Sequence, residues 1–163
     1  MALPPGFEDT HYHVDDIYHV ARDKVREFAR AVKSEHPAHH DEDAARELGY
    51  EGLVAPPTFF AIFGALAQRR LLEIGGLDLT RVMQTDQRAV FHKPLVAGAR
   101  LNCEVVVDSV RAMGGADIIV SRNEITDRDG DPVLTTYTTV VHRELTDEDD
   151  GGSDEIMEAV RAL

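Results

Sequence analysis

The chain has 163 residues, enough for one domain with a real core and too few for two comfortable ones. A hydrophobic fraction of 43% and a charged fraction of 29% exclude bulk disorder. A formal net charge of -13 argues against a nucleic-acid or anionic-membrane partner, since either needs clustered Lys and Arg; small neutral or carrier-bound substrates stay open.

The first ten residues, "MALPPGFEDT", lack the basic and apolar regions of a signal peptide. No run approaches the roughly 18 apolar residues of a membrane span, so a cytoplasmic chain is expected. Ile17–Val20 reads as a short strand. Arg22–Val32 reads as a helix, with Val25, Phe28, Ala29 and Val32 spaced i, i+3, i+4, i+7 so that one stripe faces a core. Lys33–His40, "KSEHPAHH", breaks the pattern, because Pro37 biases His36 away from helical geometry. Asp41–Leu48 then gives a two-turn helix with acids in its first turn, where the dipole favours them, and Gly49 as its stop.

The run Thr58–Gly76 follows two prolines, Pro56 and Pro57. Its first ten residues are apolar or small on every face apart from Thr58, which predicts a helix wrapped on all sides by protein. Gln68, Arg69 and Arg70 are expected to mark its emergence into water, and Gly75-Gly76 its end. Four long segments rich in Val, Ile, Thr and Tyr come next, separated by "LVAGA", "GG" and "DRDGD" turn chemistry. In one of them Leu101, Cys103, Val105 and Val107 alternate with Asn102, Glu104, Val106 and Asp108, so one face is buried. Short connections predict an antiparallel meander, and four long strands curled around an apolar helix make an α+β hot-dog fold. This domain is expected over residues 1–143. Residues 144–163 form an acidic tail: Glu144–Glu158 holds eight acids and no Lys or Arg, with a short helix expected over Glu155–Leu163.

The single cysteine, Cys103, excludes an internal disulfide and any CxxC motif, and its alternating context suits a small buried hydrophobe better than a nucleophile. His36, His39 and His40 with Glu35, Asp41 and Asp43 lack HxxxH or HExxH spacing, so no metal is expected, nor any other cofactor. The group His11, His13, His19, Asp15 and Asp16 suggests a metal still less.

The stretch "REFARAVKSEHPAHHDEDAARELGYEGLVAPPTFF", followed by "QTDQRAVFHKPLVAGARL" and "TYTTVV", resembles the MaoC-like hydratase/dehydratase group over about Tyr18 to Val141. More narrowly it is similar to the substrate-binding subunits of actinobacterial-type heterodimeric (3R)-hydroxyacyl-ACP dehydratases. The resemblance implies the hot-dog fold and reversible loss of water from a 3-hydroxyacyl thioester. Catalytic members carry a Gly-Asp-x-Asn-Pro-Ile-His-like loop whose Asp and His act as an acid/base pair. Here the loop is Lys33-Ser34-Glu35-His36-Pro37-Ala38-His39: the proline is kept, His39 falls at the base position, and Ser34 replaces the acid. A hydroxyl is a poor proton shuttle near neutral pH and cannot offset an imidazolium's charge.

In the same relatives an Ala-His-Gly-like turn enters the central helix, and the glycine N–H binds the thioester carbonyl. The matching residues here are Ala55-Pro56-Pro57. Pro57 has no N–H, which suits a first helical turn and removes the oxyanion donor. The degenerate motif is thus Ser34, His36 and His39, with no catalytic residue expected to be competent alone. Substrate contacts implied by the resemblance are Pro57, Phe59, Phe60, Ile62, Phe63 and Leu66 around an acyl chain, with Gln84 and Asp86 bordering a partner's active site.

The expected role is therefore a non-catalytic, substrate-binding companion of a catalytic MaoC-like subunit, handling acyl-ACP or acyl-CoA in fatty-acid elongation. Two alternatives remain open at this point. One is an autonomous homodimeric enzyme, a weak enoyl-thioester hydratase or a thioesterase, although the first acid after Thr58 is Glu73 and thioesterase sites need a carboxylate earlier in the helix. The other is a stand-alone acyl-CoA or lipid-binding module.

Overall fold

The computed structural model describes residues 3–143. In chain order the elements are β1 (His11–His19), α1 (Arg22–Ala31), α2 (Glu42–Glu47), α3 (Ala61–Gly75), β2 (Val82–Phe91), β3 (Arg100–Met113), β4 (Ala116–Thr126) and β5 (Pro132–Arg143). Short 3-10 turns lie at Phe7–Asp9, Pro37–His39, Pro57–Phe60 and Leu79–Arg81. The expected tail helix lies outside the described residues.

Alternation dictates the sheet. Leu101, Cys103, Val105 and Val107 of β3 are buried, as are Ile119, Ser121, Asn123 and Ile125 of β4, and the two rows meet in antiparallel register with Cys103 opposite Ile125. β3, β4 and β5 form the expected meander. Its first turn, Gly114-Gly115, has both residues at positive φ (60° and 78°), backbone space that only glycine enters without strain.

β2 departs from the meander. The strand order is β1-β3-β4-β5-β2, which leaves β1 and β2 as the two edges. The connection from β2 to β3 is pinned to the segment before the central helix, through Ala55 N–H to Leu95 O (2.8 Å) and Ala97 N–H to Leu53 O (2.8 Å). Those bonds carry the chain past the helix entrance to the opposite side of the sheet. β1 also begins six residues before the expected Ile17. Its outward positions are His11, His13 and Asp15, and a bulge between Val14 and Tyr18, with Asp16 at φ 49°, interrupts the alternation.

The central helix requires a correction. It was expected to be wrapped on all sides, yet Ala61, Ala65 and Leu66 are exposed, Leu66 at 49%. One curved sheet covers one side of a cylinder, and the Ala/Gly face has little area of its own to bury. Nor do Gln68–Arg70 mark an exit into water, since Leu71, Leu72 and Gly75 beyond them are buried again. Arg69 and Arg70 point outward to Glu73, while Gln68 turns inward, where its Nε2 is fully buried.

Two apolar clusters lie under α3. The first joins Phe59, Phe60, Phe63 and Ala67 to Val20, Leu101, Cys103, Val105, Ile125 and Leu134. The second joins Leu71 to Phe7, Val107, Ile119 and Val140. Each fully buried large side chain contributes about 1.5–3 kcal/mol, so the phenylalanines anchor the helix to the sheet. Burial also pushes the Cys103 thiol up to about 12, which leaves it an inert core group.

Candidate functional site

The loop after α1 starts from a strained cap. Lys33 sits at φ 55°, its N–H donates to Arg30 O (3.1 Å), and the Ser34 N–H reaches back to Ala29 O (2.8 Å). This is a Schellman closure with lysine where glycine is usual, and it throws the chain sharply off the helix. His36 then caps the Pro37–His39 turn, its ring Nδ1 accepting from the Ala38 N–H at 3.3 Å.

The loop is stitched to the residues that precede the central helix. The Val54 N–H donates to Ala38 O (3.0 Å), and Val54 O faces His39 Nδ1 at 2.6 Å. A carbonyl only accepts, so His39 carries its proton on Nδ1 and presents Nε2 as a lone pair. His40 Nε2 is likewise held by Ser34 O at 2.7 Å. The structure thus brings together the two motifs that the sequence singled out. No carboxylate is hydrogen-bonded to His39 among the described residues, and the residue is buried. A neutral imidazole held in this way can accept a proton at Nε2 but has no acid beside it to supply one.

Pro57 opens the Pro57–Phe60 turn, with Pro56 as its cap at φ -56°, ψ 149°. Beside it lies a cleft of about 340 Å³ walled by Val54, Pro57, Phe91, His92, Lys93 and Leu95. His92 Nε2 is 2.9 Å from Thr135 Oγ1, and Lys93 is ion-paired with Asp127 and, at 3.8 Å, with Asp131. Sequence reasoning missed Phe91–Lys93 as neighbours of Pro57. The signal was present in "FHKPL", a strand end followed by a proline, but the pairing depends on the crossover described above.

The other expected contacts are dispersed. Phe59, Phe60 and Phe63 are buried in the first apolar cluster and Ile62 packs against it. Leu66 lies on the β1 side, lining a separate cleft with Tyr12, Ile17, Arg70 and Ile74. Burial raises the Tyr12 phenol, which donates to Ala67 O at 2.9 Å. Gln84 lines a groove of about 440 Å³ between α3 and β2, whereas Asp86, in register with Thr139, sits beyond a bulge on the opposite face of the sheet. No cluster of three or more His, Cys, Asp or Glu among the described residues is arranged to hold a metal ion.

A family model described as FAS1-like, dehydratase domain region, matches residues 10–136. A UPF0336 protein of Mycobacterium leprae (strain TN) is 43% identical over 156 residues, covering 94% of this chain and 98% of that protein. Among solved structures, the C-terminally truncated HadBC (3R-hydroxyacyl-ACP dehydratase) complex of Mycobacterium tuberculosis superimposes with a TM-score of 0.75 at 42% identity, covering 83% of this chain and 96% of that one. A structure described as a MaoC-like dehydratase gives 0.75 at 41% identity, covering 82% of this chain and 41% of that one.

Proposed function

From the premise that the chain belongs to the FAS1-like dehydratase-region family, with its MaoC-like hot-dog fold, we propose that it is the substrate-accommodating, non-catalytic subunit of an (R)-specific 3-hydroxyacyl-thioester dehydratase. The observation that carries this reading is Pro57. It opens the 3-10 turn that leads into the central helix, the position where a thioester oxyanion would need a backbone donor, and it has none. Loss of one such donor typically costs on the order of 100-fold to 1000-fold in rate. Ser34 in place of a carboxylic acid, and His39 turned onto Val54 O, remove the acid and leave the base without a partner.

Elimination across C2–C3 needs one group to take the C2 proton and another to protonate the departing hydroxyl. This chain offers at most the first, so the proposal assigns both to a catalytic subunit of the same fold. The M. tuberculosis neighbour is itself a complex of dehydratase chains, which supports such a partner. The exposed Ala61/Ala65 face of α3 and the free β2 edge give that partner a place to join the sheet. A thioesterase role is disfavoured, because Glu73, the first acid of α3, is exposed and paired with Arg69 and Arg70.

The test is hydration of a medium-chain trans-2-enoyl-CoA by the purified chain alone and after co-purification with a MaoC-like subunit bearing the intact Asp, His and Gly. Silence alone and turnover by the pair is the expected result. Robust activity of the chain alone overturns the reading and returns His39 to the role of base.

A further inference from the structure

We infer that residues 144–163 fold back as a strap over the outer face of the sheet and cover an apolar corner where β5 ends, an inference independent of the dehydratase reading. Ile119, Ser121, Asn123 and Ile125 of β4 point inward under α3, so Ile118 and Val120, one residue out of phase, point to the opposite face. Register then assembles the corner. Ile118 stands beside Val141 of β5, Val141 stands beside Met83 of β2, and Met113 of β3 is paired with Ala116 at the start of β4. Met83 is 63% exposed and Met113 68%. Further along the same face the side chains are charged: Arg122 is ion-paired with Asp108 and Glu124, and His13 with Glu104. The apolar surface is therefore confined to one end of a sheet face that is otherwise built for water.

The chain itself leaves from this corner. Arg143, the last described residue, is in register with Ala116, one step along β5 from its contact with Met83 and Ile118. In the sequence that follows, Ile156, Ala159, Val160 and Leu163 recur at i, i+3, i+4 and i+7, which is one apolar stripe of a helix, and Gly151-Gly152 before them lets the chain reverse. A helix over residues 155–163 is about 13–14 Å long. The corner runs from β3 through β4 and β5 to β2, three interstrand spacings or about 14 Å. A helix so short is marginal in water and holds only when its stripe is packed against something.

Charge separates this corner from the two apolar clefts beside α3. Arg111, in register with Ile118, and Arg143 border the corner; both are exposed, and neither is ion-paired among the described residues. Residues 144–158 bring eight acids and no Lys or Arg to them. By contrast, Arg69 at the α3–β2 groove and Arg70 at the β1-side cleft already share Glu73.

Tethering makes a weak contact sufficient. A short flexible link holds the stripe near the corner at an effective concentration of about 1 mM, so an intrinsic affinity of only ~0.1 mM keeps the corner covered about 90% of the time. Covered in this way, the outer face offers no apolar surface on which a second sheet could stack.

The experiment uses the full chain and thiol accessibility. Cys103 is buried, so a thiol introduced at the surface is the one that reacts. Met83→Cys and Met113→Cys, made one at a time, each leave the rest of the corner intact; Ala65→Cys and Leu66→Cys report on the α3–β2 groove and the β1-side cleft. Each is alkylated with neutral iodoacetamide, with the stripe intact and with Val160→Asn plus Leu163→Asn, which remove two anchors without adding charge. Alkylation at positions 83 and 113 is expected to be about tenfold slower with the stripe intact, the protection that the tethered contact provides, and unchanged at 65 and 66. Equal rates at 83 and 113 overturn the strap. Acceleration at 65 or 66 instead places the segment beside α3 and overturns it too. Protection that fades on dilution assigns the segment to a second copy and overturns the fold-back.

Discussion

Lys33 shows how much geometry one residue can hold. Its left-handed backbone, at φ 55°, terminates α1 and sets the direction of Ser34, and a β-carbon there costs about 1–2 kcal/mol that glycine avoids. After allowance for glycine's greater freedom in the unfolded chain, Lys33→Gly is expected to stabilise the fold by about 0.5–1 kcal/mol in urea unfolding. Ser34 and Pro57 test the proposed division of labour. Pro57→Gly restores a donor and Ser34→Asp restores an acid, yet each alone leaves the other defect in place. Both singles should stay at background in enoyl-CoA hydration, and only the double variant should rise above it. Activity in either single variant would mean that one of the two defects is not one. These two positions were legible from sequence because proline and serine lack specific atoms whatever the fold. The commitment of His39 to Val54 O was not, since it depends on a contact between segments 15 residues apart.

Elements meet where side chains leave room for one another. A β-carbon at Gly75 would lie 2.9 Å from the Phe7 ring and 3.1 Å from Leu77. Gly75→Ala therefore destabilises by about 1–3 kcal/mol through overpacking, despite alanine's better helix propensity, and thermal unfolding reads the loss. At the opposite edge of the sheet, β1 is fastened to β3 by His13, whose two ring nitrogens face Glu104 at 2.7 Å and Asp15 at 2.9 Å. Both partners only accept, so the ring is held as an imidazolium, and its pKa is raised chiefly by the Glu104 bond and then by Asp15. Because the folded value lies above the unfolded one, this contribution is fully present below about pH 6.5 and is lost as pH rises through the raised value. Amides of β1 should exchange faster relative to those of β4 on the alkaline side, and His13→Gln should abolish the difference. The helices and the three-strand meander were readable from periodicity, because their patterns are local. The place of β2 beside β5 and the early start of β1 were not, since a crossover and a bulged edge leave no fixed period in the chain.

At the scale of the whole molecule, the unfinished part is the side bearing α3 and β2. A ten-residue edge strand presents unpaired backbone donors and acceptors, and beside it Ala61 and Ala65 expose a flat helix face, with Leu79, 64% exposed, lining the same groove. The sequence predicts this helix to be covered on every side, and the described chain leaves its Ala61/Ala65 face open; under the proposed function, cover supplied by a second chain leaves the same apolar signature as cover supplied by the first. The two possibilities part on substitution. If the face is an interface, Ala65→Arg places a charge where it meets only solvent in the isolated chain, and the melting temperature of that chain should change little. In the assembly the same charge is buried against the partner, and co-purification should fail, with light scattering giving the mass of one chain. Thr85→Pro acts on the edge by a different route: Thr85 lies at the bulge between Gln84 and Asp86, where register with β5 is already broken, so a proline there removes a backbone donor and a 3.4 Å hydroxyl contact to Thr139 O without breaking a register pair. Both variants losing the partner while keeping the fold identifies this side as the assembly surface. Retained association in both would place the partner elsewhere, with the β1 edge as the other free edge of the sheet.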